Sequence, residues 1–216
     1  MTTAPGPSAY LVPARTADVE VEARRSRFRC RLERVADEAA AREVVEAARK
    51  RHWDAGHHCP AFVLGPDAGT ARSSDDGEPA GSAGAPMLET LRGREVSDVV
   101  AVVSRWFGGT LLGVGGLVRA YSEAVALALD EAGVLRRERR EVVEVDAGHA
   151  EAGRLEHELR ARGVVVREAS YGALVTLTLA VPPGLGETLP GTLAELTGGA
   201  ASPRHVGTDW VDLPPG

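Results

Sequence analysis

Several residue types are scarce in this 216-residue chain, and each scarcity excludes a class of protein. Lysine occurs once, at Lys50, and acidic residues outnumber lysine and arginine by 31 to 25. The net charge of −6 argues against a uniformly cationic nucleic-acid binder, so any such binding would need a local basic patch. Aromatic residues make up 4% of the chain, which leaves few side chains for stacking on single-stranded bases.

Cysteines and long apolar runs are also few. Cys30 and Cys59 are the only thiols, too few for a four-cysteine zinc site. No segment approaches the ~20 apolar residues that a membrane span needs. The N-terminus lacks the basic start and the uninterrupted apolar core of a signal peptide. We therefore expect a cytoplasmic protein with no membrane span, no bound metal and no cofactor.

The distribution of charge predicts two domains. Residues 1–140 hold 20 basic and 20 acidic residues, whereas residues 141–216 hold 5 basic and 11 acidic ones. The charged run 136–140 is the predicted connector. The first 17 residues contain Pro5, Gly6, Pro7 and Pro13, which predict a loosely held lead-in. We expect a first domain over residues 18–138 and a second over residues 141–212.

Local patterns predict strands and helices in both domains. Residues 19–33 read as two strands joined near Arg24, and strict alternation from Ser26 to Leu32 leaves one apolar face. Asp37 is the predicted cap of a helix that ends near Arg51. Strands are expected over 60–64 and 96–103, and helices over 86–91 and 116–132. From residue 141 onward the order is strand, helix, strand, strand, helix, strand, which is typical of a ferredoxin-like domain.

Three segments together carry a family resemblance. They are DAGHHCPAF at residues 54–62, SDDGEPAGSAGAPML at residues 74–88 and RWFGGTLLGVGGLVRAYS at residues 105–122. With Ser26-Arg27-Phe28 they resemble the YigZ/IMPACT family over roughly residues 19–135. The tail from about residue 141 resembles the smaller C-terminal domain of the bacterial YigZ branch. Ser82 and Trp106 stand where the family usually has threonine and often tyrosine, and Pro60 stands where an aromatic residue often follows the cysteine.

The resemblance implies an α+β protein of two domains. The N-terminal domain is expected to be similar to the ribosomal protein S5 domain 2-type fold, and the C-terminal domain to be a ferredoxin-like βαββαβ domain. Because eukaryotic IMPACT proteins regulate translation, the resemblance also implies a translation-linked role.

The glycine-rich loop is open to two interpretations. Free amides at the start of the following helix favour an anion, and Arg105 and Arg119 flank the loop and could clamp a phosphate. Equally, the glycines could serve a tight strand-to-helix turn that requires close packing. The loop lacks the Walker lysine and the dinucleotide-binding fingerprint. Phe107 and Tyr121 are the aromatic residues nearest the glycines besides Trp106.

Two further segments could carry catalysis or only structure. Asp75, Asp76 and Glu78 could hold Mg²⁺ or supply a general base, but Asx turns are the favoured interpretation, with Ser82 capping the next helix. His57 and Cys59 could belong to a small hydrolase with those carboxylates. A packed cysteine beside a hydrogen-bonded histidine is the more frequent arrangement.

We predict a non-enzymatic, translation-associated regulatory protein that binds RNA or a ribosome-associated factor through its N-terminal domain. The alternatives are the small hydrolase and a purely protein-binding regulator. The arginine face formed by Arg25, Arg27, Arg29 and Arg31 could follow a phosphate backbone, or could be a solvated strand face paired with Glu20 or Glu22. The predicted binding surface comprises Arg27, His57, Asp75, Asp76, Glu78, Arg105, Phe107, Gly108, Gly109, Gly113, Gly115, Gly116, Arg119 and Tyr121.

Overall fold

The structure is a computed structural model that describes residues 6–215. The chain forms two compact units. One runs up to Arg137 and takes in the last residues from Leu213, and the other is Glu138–Asp212. Each unit has its own hydrophobic core.

The first unit is built on a five-stranded antiparallel sheet in the order β2-β3-β6-β4-β5. Its strands and helices are β1 (Ala9–Pro13), β2 (Ala17–Ala23), β3 (Ser26–Arg34), α1 (Glu38–Arg51), β4 (His57–Leu64), β5 (Thr70–Ser73), α2 (Gly84–Gly93), β6 (Val99–Trp106) and α3 (Val114–Ala132).

Helices cover both faces of this sheet. Helix α1 packs against Phe62, Val100 and Val102 on one face, and α2 and α3 cover the other. The central strand β6 is therefore buried on both sides, which explains its uninterrupted run of apolar residues from Val99 to Val103. On β3 the predicted apolar face is confirmed, since Ser26, Phe28, Cys30 and Leu32 are fully buried.

Local signals in the sequence set the hairpin and the first helix. Ala23 pairs with Ser26, so the β2–β3 connection is a two-residue turn, with φ of 44° at Arg24 and 70° at Arg25. Positive φ at both positions is the geometry that matches the twist of a hairpin. The Asp37 side chain accepts a hydrogen bond from the Ala40 amide and caps α1, as predicted.

Part of the predicted lead-in forms a strand, although its prolines and glycine indicated a loose segment. The predicted lead-in contains β1, in which Val12 is fully buried. The Leu11 carbonyl accepts a hydrogen bond from the Ser97 amide. This partner lies far away in the sequence, so the local pattern could not indicate it. Residues 1–5 of the expected lead-in lie outside the described residues.

The second unit has the strand order of a ferredoxin-like domain. It contains all but the first four residues of β7 (Val134–Ala147), then α4 (His149–Ala161), β8 (Val165–Tyr171), β9 (Val175–Val181), α5 (Leu189–Thr197) and all but the last residue of β10 (Arg204–Leu213). The order β10-β7-β9-β8 places the first strand beside the last. The charged run 136–140 lies within β7, and the division between the two units falls inside it, after Arg137. Glu138 and Arg140 of this run are buried and paired at 3.2 Å.

The predicted fold class is confirmed: the protein is α+β, with a ribosomal protein S5 domain 2-type first unit and a ferredoxin-like βαββαβ second unit. Among residues 6–215, no helix is long and apolar enough to cross a membrane.

Candidate functional site

The site begins with a row of side chains across the sheet of the first unit. In the register of the three central strands, Phe28 lies opposite Arg105, and Arg105 lies opposite His57. One step further into the core, Cys30, Val103 and Cys59 form the next row on the same face. The polar row therefore lies where the core face of the sheet meets the loop between β6 and α3.

A buried ion pair occupies this row. Arg105 Nη1 donates to both carboxylate oxygens of Glu78, at 2.7 Å from Oε1 and 2.8 Å from Oε2, and the two side chains are 8% and 2% exposed. The Tyr121 hydroxyl donates to Glu78 Oε1 at 2.7 Å. Burial, and then the neighbouring Cys59, raise the pKa of Tyr121 far above its ordinary value, so the hydroxyl keeps its proton and remains a donor.

The acidic turn holds its own backbone together. The Asp75 carboxylate accepts hydrogen bonds from the amides of Gly81, Ala83 and Gly84. Burial acts to raise the pKa of Asp75, but these three hydrogen bonds outweigh it and leave the pKa below its ordinary value. Asp75 thus supports the start of α2. Ser82, the predicted cap, instead donates to the Pro79 carbonyl.

Asp76 links the turn to α1 and to β4. Its carboxylate accepts from Arg49 at 2.7 Å and from the His58 amide at 2.6 Å. Its backbone carbonyl lies 2.8 Å from His57 Nδ1. The turn therefore presents only Glu78, of its three carboxylates, to the row of His57 and Arg105.

The side chains of the two histidines and of Cys59 lie in different surroundings. His57 faces Glu78, with 4.0 Å between Nε2 and Oε2. His58 is buried beside Ser104, and burial followed by the nearby Arg49 lowers its pKa. Cys59 is fully buried, and burial raises the pKa of its thiol to about 12. At neutral pH Cys59 is therefore a protonated core residue.

A pocket opens above the ion pair, with a volume of about 480 Å³. Its floor is formed by His57, Glu78 and Arg105. Its walls come from the turn and from the β6–α3 loop with the start of α3, namely Gly77, Pro79, Phe107, Leu111, Leu112, Gly113, Val114 and Leu117. Phe107, Leu111 and Val114 are exposed large apolar side chains.

The glycines of the loop serve several purposes. A Cβ atom on Gly108 would lie 2.0 Å from the backbone carbon and oxygen of Arg25, so the loop packs directly on the β2–β3 turn. Gly109 and Gly113 have φ of 85° and 72°, which favours glycine. A Cβ atom on Gly116 would lie 2.9 Å from the Leu112 Cβ, whereas Gly115 has open space around it. This geometry supports the packing interpretation of the loop.

The two arginines considered as a phosphate clamp, Arg105 and Arg119, have different surroundings. Arg105 is committed to Glu78 beneath the pocket. Arg119 lines a different cavity, beside Arg24 and Glu123, and its Nε donates to the Gly115 carbonyl at 3.3 Å. The two arginines thus line separate cavities because α3 carries Arg119 away from the pocket.

The arginine face is largely compensated by acidic residues. Asp18 lies 2.6 Å from Arg29 and 3.7 Å from Arg31, which also contacts Glu33 at 2.7 Å. Arg27 lies over the Trp106 ring, with 4.8 Å from its Cζ to the ring centroid. Across the hairpin, the positions opposite Arg27, Arg29 and Arg31 are all acidic. The alternative of a paired, solvated strand face describes this surface.

Of the predicted binding residues, the structure gathers His57, Glu78, Arg105, Phe107 and Gly113 at the pocket. Four others support the lining residues without lining the pocket themselves: Asp75, Asp76, Gly108 and Tyr121. The remaining five also lie outside the pocket lining: Arg27, Gly109, Gly115, Gly116 and Arg119. Sequence reasoning missed the apolar wall. Leu111, Leu112 and Leu117 could have been noticed as bulky apolar residues in and after a loop where polar residues are usual. In residues 6–215, no group of three or more His, Cys, Asp or Glu is placed to hold a metal ion.

The fold and the site define a two-unit α+β protein whose first unit carries an apolar surface pocket over a buried ion pair. The model described as "Impact N-terminal domain" matches residues 24–129, and one described as "Domain of unknown function (DUF1949)" matches residues 145–200. The chain belongs to the IMPACT family.

Relatives match both units over most of their length. The chain is 37% identical over 190 residues to the IMPACT family member YvyE of Bacillus subtilis, and the matched region covers 88% of each chain. It is 36% identical over 193 residues to the IMPACT family member YigZ of Escherichia coli, and the matched region covers 88% of this chain and 95% of YigZ. A crystal structure of a hypothetical protein superposes with a TM-score of 0.61 at 35% identity, covering 92% of this chain and 98% of the other.

Proposed function

We propose that the protein is a non-enzymatic, translation-associated regulator whose first unit binds a ribosome-associated protein through the pocket. Membership of the IMPACT family suggests a regulatory or translation-associated role. The observation that carries the proposal is the exposed apolar rim of Phe107, Leu111 and Val114 around a pocket whose charged floor is already paired. A cytoplasmic location, where ribosomes are found, is part of the same proposal.

The chemistry of the floor favours binding over catalysis. A hydrolase of the predicted kind needs His57 beside a carboxylate of Asp75 or Asp76, but those carboxylates accept hydrogen bonds from backbone amides and Arg49. Cys59 has a pKa raised to about 12 by burial and would be a poor nucleophile at neutral pH. Glu78 is held by Arg105 and Tyr121.

The surface chemistry favours a protein over RNA. RNA backbones are bound by uncompensated cations, and three acidic positions face the arginines of β3 across the hairpin. Clustered exposed apolar side chains, by contrast, are typical of protein-binding sites. The second unit contains most of the acidic excess, so it would repel RNA and is free to bind protein.

The proposal is tested by affinity capture from cell lysate with and without nuclease. Leu111→Ser removes an apolar side chain that is 79% exposed at the rim of the pocket. Leu127→Ser on α3 is the matched control, because Leu127 is 44% exposed and does not line the pocket. We expect Leu111→Ser to reduce capture of a ribosome-associated protein about tenfold or more, as for a central interface residue. Release by nuclease would instead identify RNA as the partner, and equal capture by both variants would refute the role of the pocket.

A further inference from the structure

Two hydrogen-bond acceptors, one on His57 and one on Glu78, lie close together in the floor of the pocket. The Asp76 carbonyl can only accept a hydrogen bond, so the contact at 2.8 Å requires the proton to be on His57 Nδ1. When Nδ1 carries the only ring proton, Nε2 is an acceptor. Nε2 lies 4.0 Å from Glu78 Oε2, a carboxylate oxygen that accepts from Arg105 Nη1 at 2.8 Å and can accept a further hydrogen bond. A donor from outside, placed beside both atoms, would donate a shared hydrogen bond to them.

The charge of the floor favours an uncharged donor. The positive charge of Arg105 lies 2.7 Å from the carboxylate of Glu78, so the pair contributes no net charge. An ammonium group would be attracted by Glu78 but repelled by the adjacent guanidinium, and a phosphate or carboxylate would face the converse arrangement. A hydroxyl or an indole N–H brings a hydrogen atom without a charge.

The walls of the pocket favour an aromatic body behind that donor. The space above the floor is enclosed by Pro79, Phe107, Leu112 and Leu117. Its volume of about 480 Å³ is large enough to admit a whole aromatic side chain. Tyrosine and tryptophan combine a large apolar ring with one polar atom at the end, and they are the residues that most often anchor protein interfaces.

We propose that the pocket receives a tyrosine or tryptophan side chain of the protein partner, whose O–H or N–H is donated to His57 Nε2 and Glu78 Oε2. This inference rests on the proposed function, because it assigns the anchor that a ribosome-associated protein would insert beside Leu111.

The test compares N-acetyl-tyrosinamide with N-acetyl-phenylalaninamide, which differ by one hydroxyl, in NMR titrations of the whole protein. The wild type should bind the tyrosine compound about tenfold more tightly, since the hydroxyl gains two acceptors of which one is charged. Equal binding of the two compounds would overturn the inference.

Two substitutions assign the preference to His57. In His57→Asn the side-chain amide can still donate to the Asp76 carbonyl, but no acceptor remains at the position of Nε2, so the preference for the hydroxyl should fall at least threefold. In His57→Gln an acceptor can reach that position, and the preference should be restored in part. His157→Asn, in the exposed part of α4, is the control and should leave the preference unchanged. An unchanged preference in His57→Asn would contradict the assignment.

The pentapeptide Gly-Gly-Tyr-Gly-Gly separates a protein partner from a free small molecule. It should bind as tightly as the amide within about threefold, because the pocket is open to the surface. Exclusion of the peptide would assign the pocket to a small molecule and overturn the inference. If the tyrosine compound fails to bind while capture in lysate still depends on Leu111, the inference fails and the proposed function stands. If the compound binds but no ribosome-associated protein is captured, the proposed function fails.

Discussion

Loss of one member of the Glu78–Arg105 pair should destabilise the first unit strongly. Both side chains are more than nine-tenths buried, and Arg105 Nε has no hydrogen-bond partner among the described residues, so the guanidinium depends on Glu78. Glu78→Gln leaves a buried cation without its counter-charge, and Arg105→Met leaves a buried carboxylate. Each change should reduce the free energy of unfolding by about 3–5 kcal/mol.

The double variant carries the sharper expectation. With both charges gone, neither is left unpaired, so Glu78→Gln/Arg105→Met should cost about 2–3 kcal/mol less than the sum of the two single changes. The measurement is urea unfolding of the four proteins at 25 °C, followed by far-UV circular dichroism.

An exposed ion pair of the same unit provides the control. Arg15 and Glu131 lie 3.0 Å apart with side chains 65% and 58% exposed. The same cycle on that pair should give a coupling of about 0.5 kcal/mol or less. If the Glu78 and Arg105 changes add to within about 0.5 kcal/mol, the carboxylate and guanidinium do not depend on each other and the argument from burial is wrong.

Further predictions concern the turns and the thiol. Gly108→Ala places a Cβ atom against backbone and should cost about 3 kcal/mol or more in thermal unfolding, whereas Gly115→Ala, with open space around it, should cost less than about 0.5 kcal/mol. A wild-type melting temperature for Gly108→Ala would exclude this packing. Arg25→Gly should raise stability by about 1 kcal/mol, because φ there is 70°, and a loss of stability would contradict the strain argument. Asp75→Asn should cost about 1–2 kcal/mol at pH 7. The pKa of Asp75 is lower in the folded state than in the unfolded state, where it is ~4. The cost of Asp75→Asn should therefore be constant above pH ~4 and should shrink as the pH falls through the folded-state pKa. A cost that does not change with pH down to about 2 would contradict this expectation. Iodoacetamide should alkylate Cys59 at pH 8 roughly a thousandfold more slowly than a free cysteine, as followed by mass spectrometry, and rapid labelling would show that the thiol is not buried as described.

Elements with a strong local period were predictable from the sequence. The alternation from Ser26 to Leu32 assigned the correct buried face, and Asp37 identified the start of α1. Strand β1 was not predictable, because its hydrogen-bond partner at Ser97 lies 86 residues away. The cap of α2 was assigned to Ser82 because helix caps are usually adjacent, whereas the side chain that bonds the first amides is Asp75.

The site was predictable as a set of residues and not as a geometry. Glu78 and Arg105 were both among the predicted binding residues, but their pairing follows from the register of β4 against β6 and from the fold of the turn before α2. The local pattern of residues predicts neither this register nor the conformation of the turn. The turn also gives the Asp75 carboxylate backbone amides as partners, and the Asp76 carboxylate accepts from Arg49.

The buried pair also restricts how this part of the family can diverge. A single replacement that removes the charge at position 78 or 105 leaves one full charge unpaired in the core, and its cost is a large share of a domain's total stability. A lineage that exchanges one residue would be expected to lose the protein before the second exchange arrives, unless other substitutions first add stability. Positions 78 and 105 should therefore change together among descendants of a common ancestor.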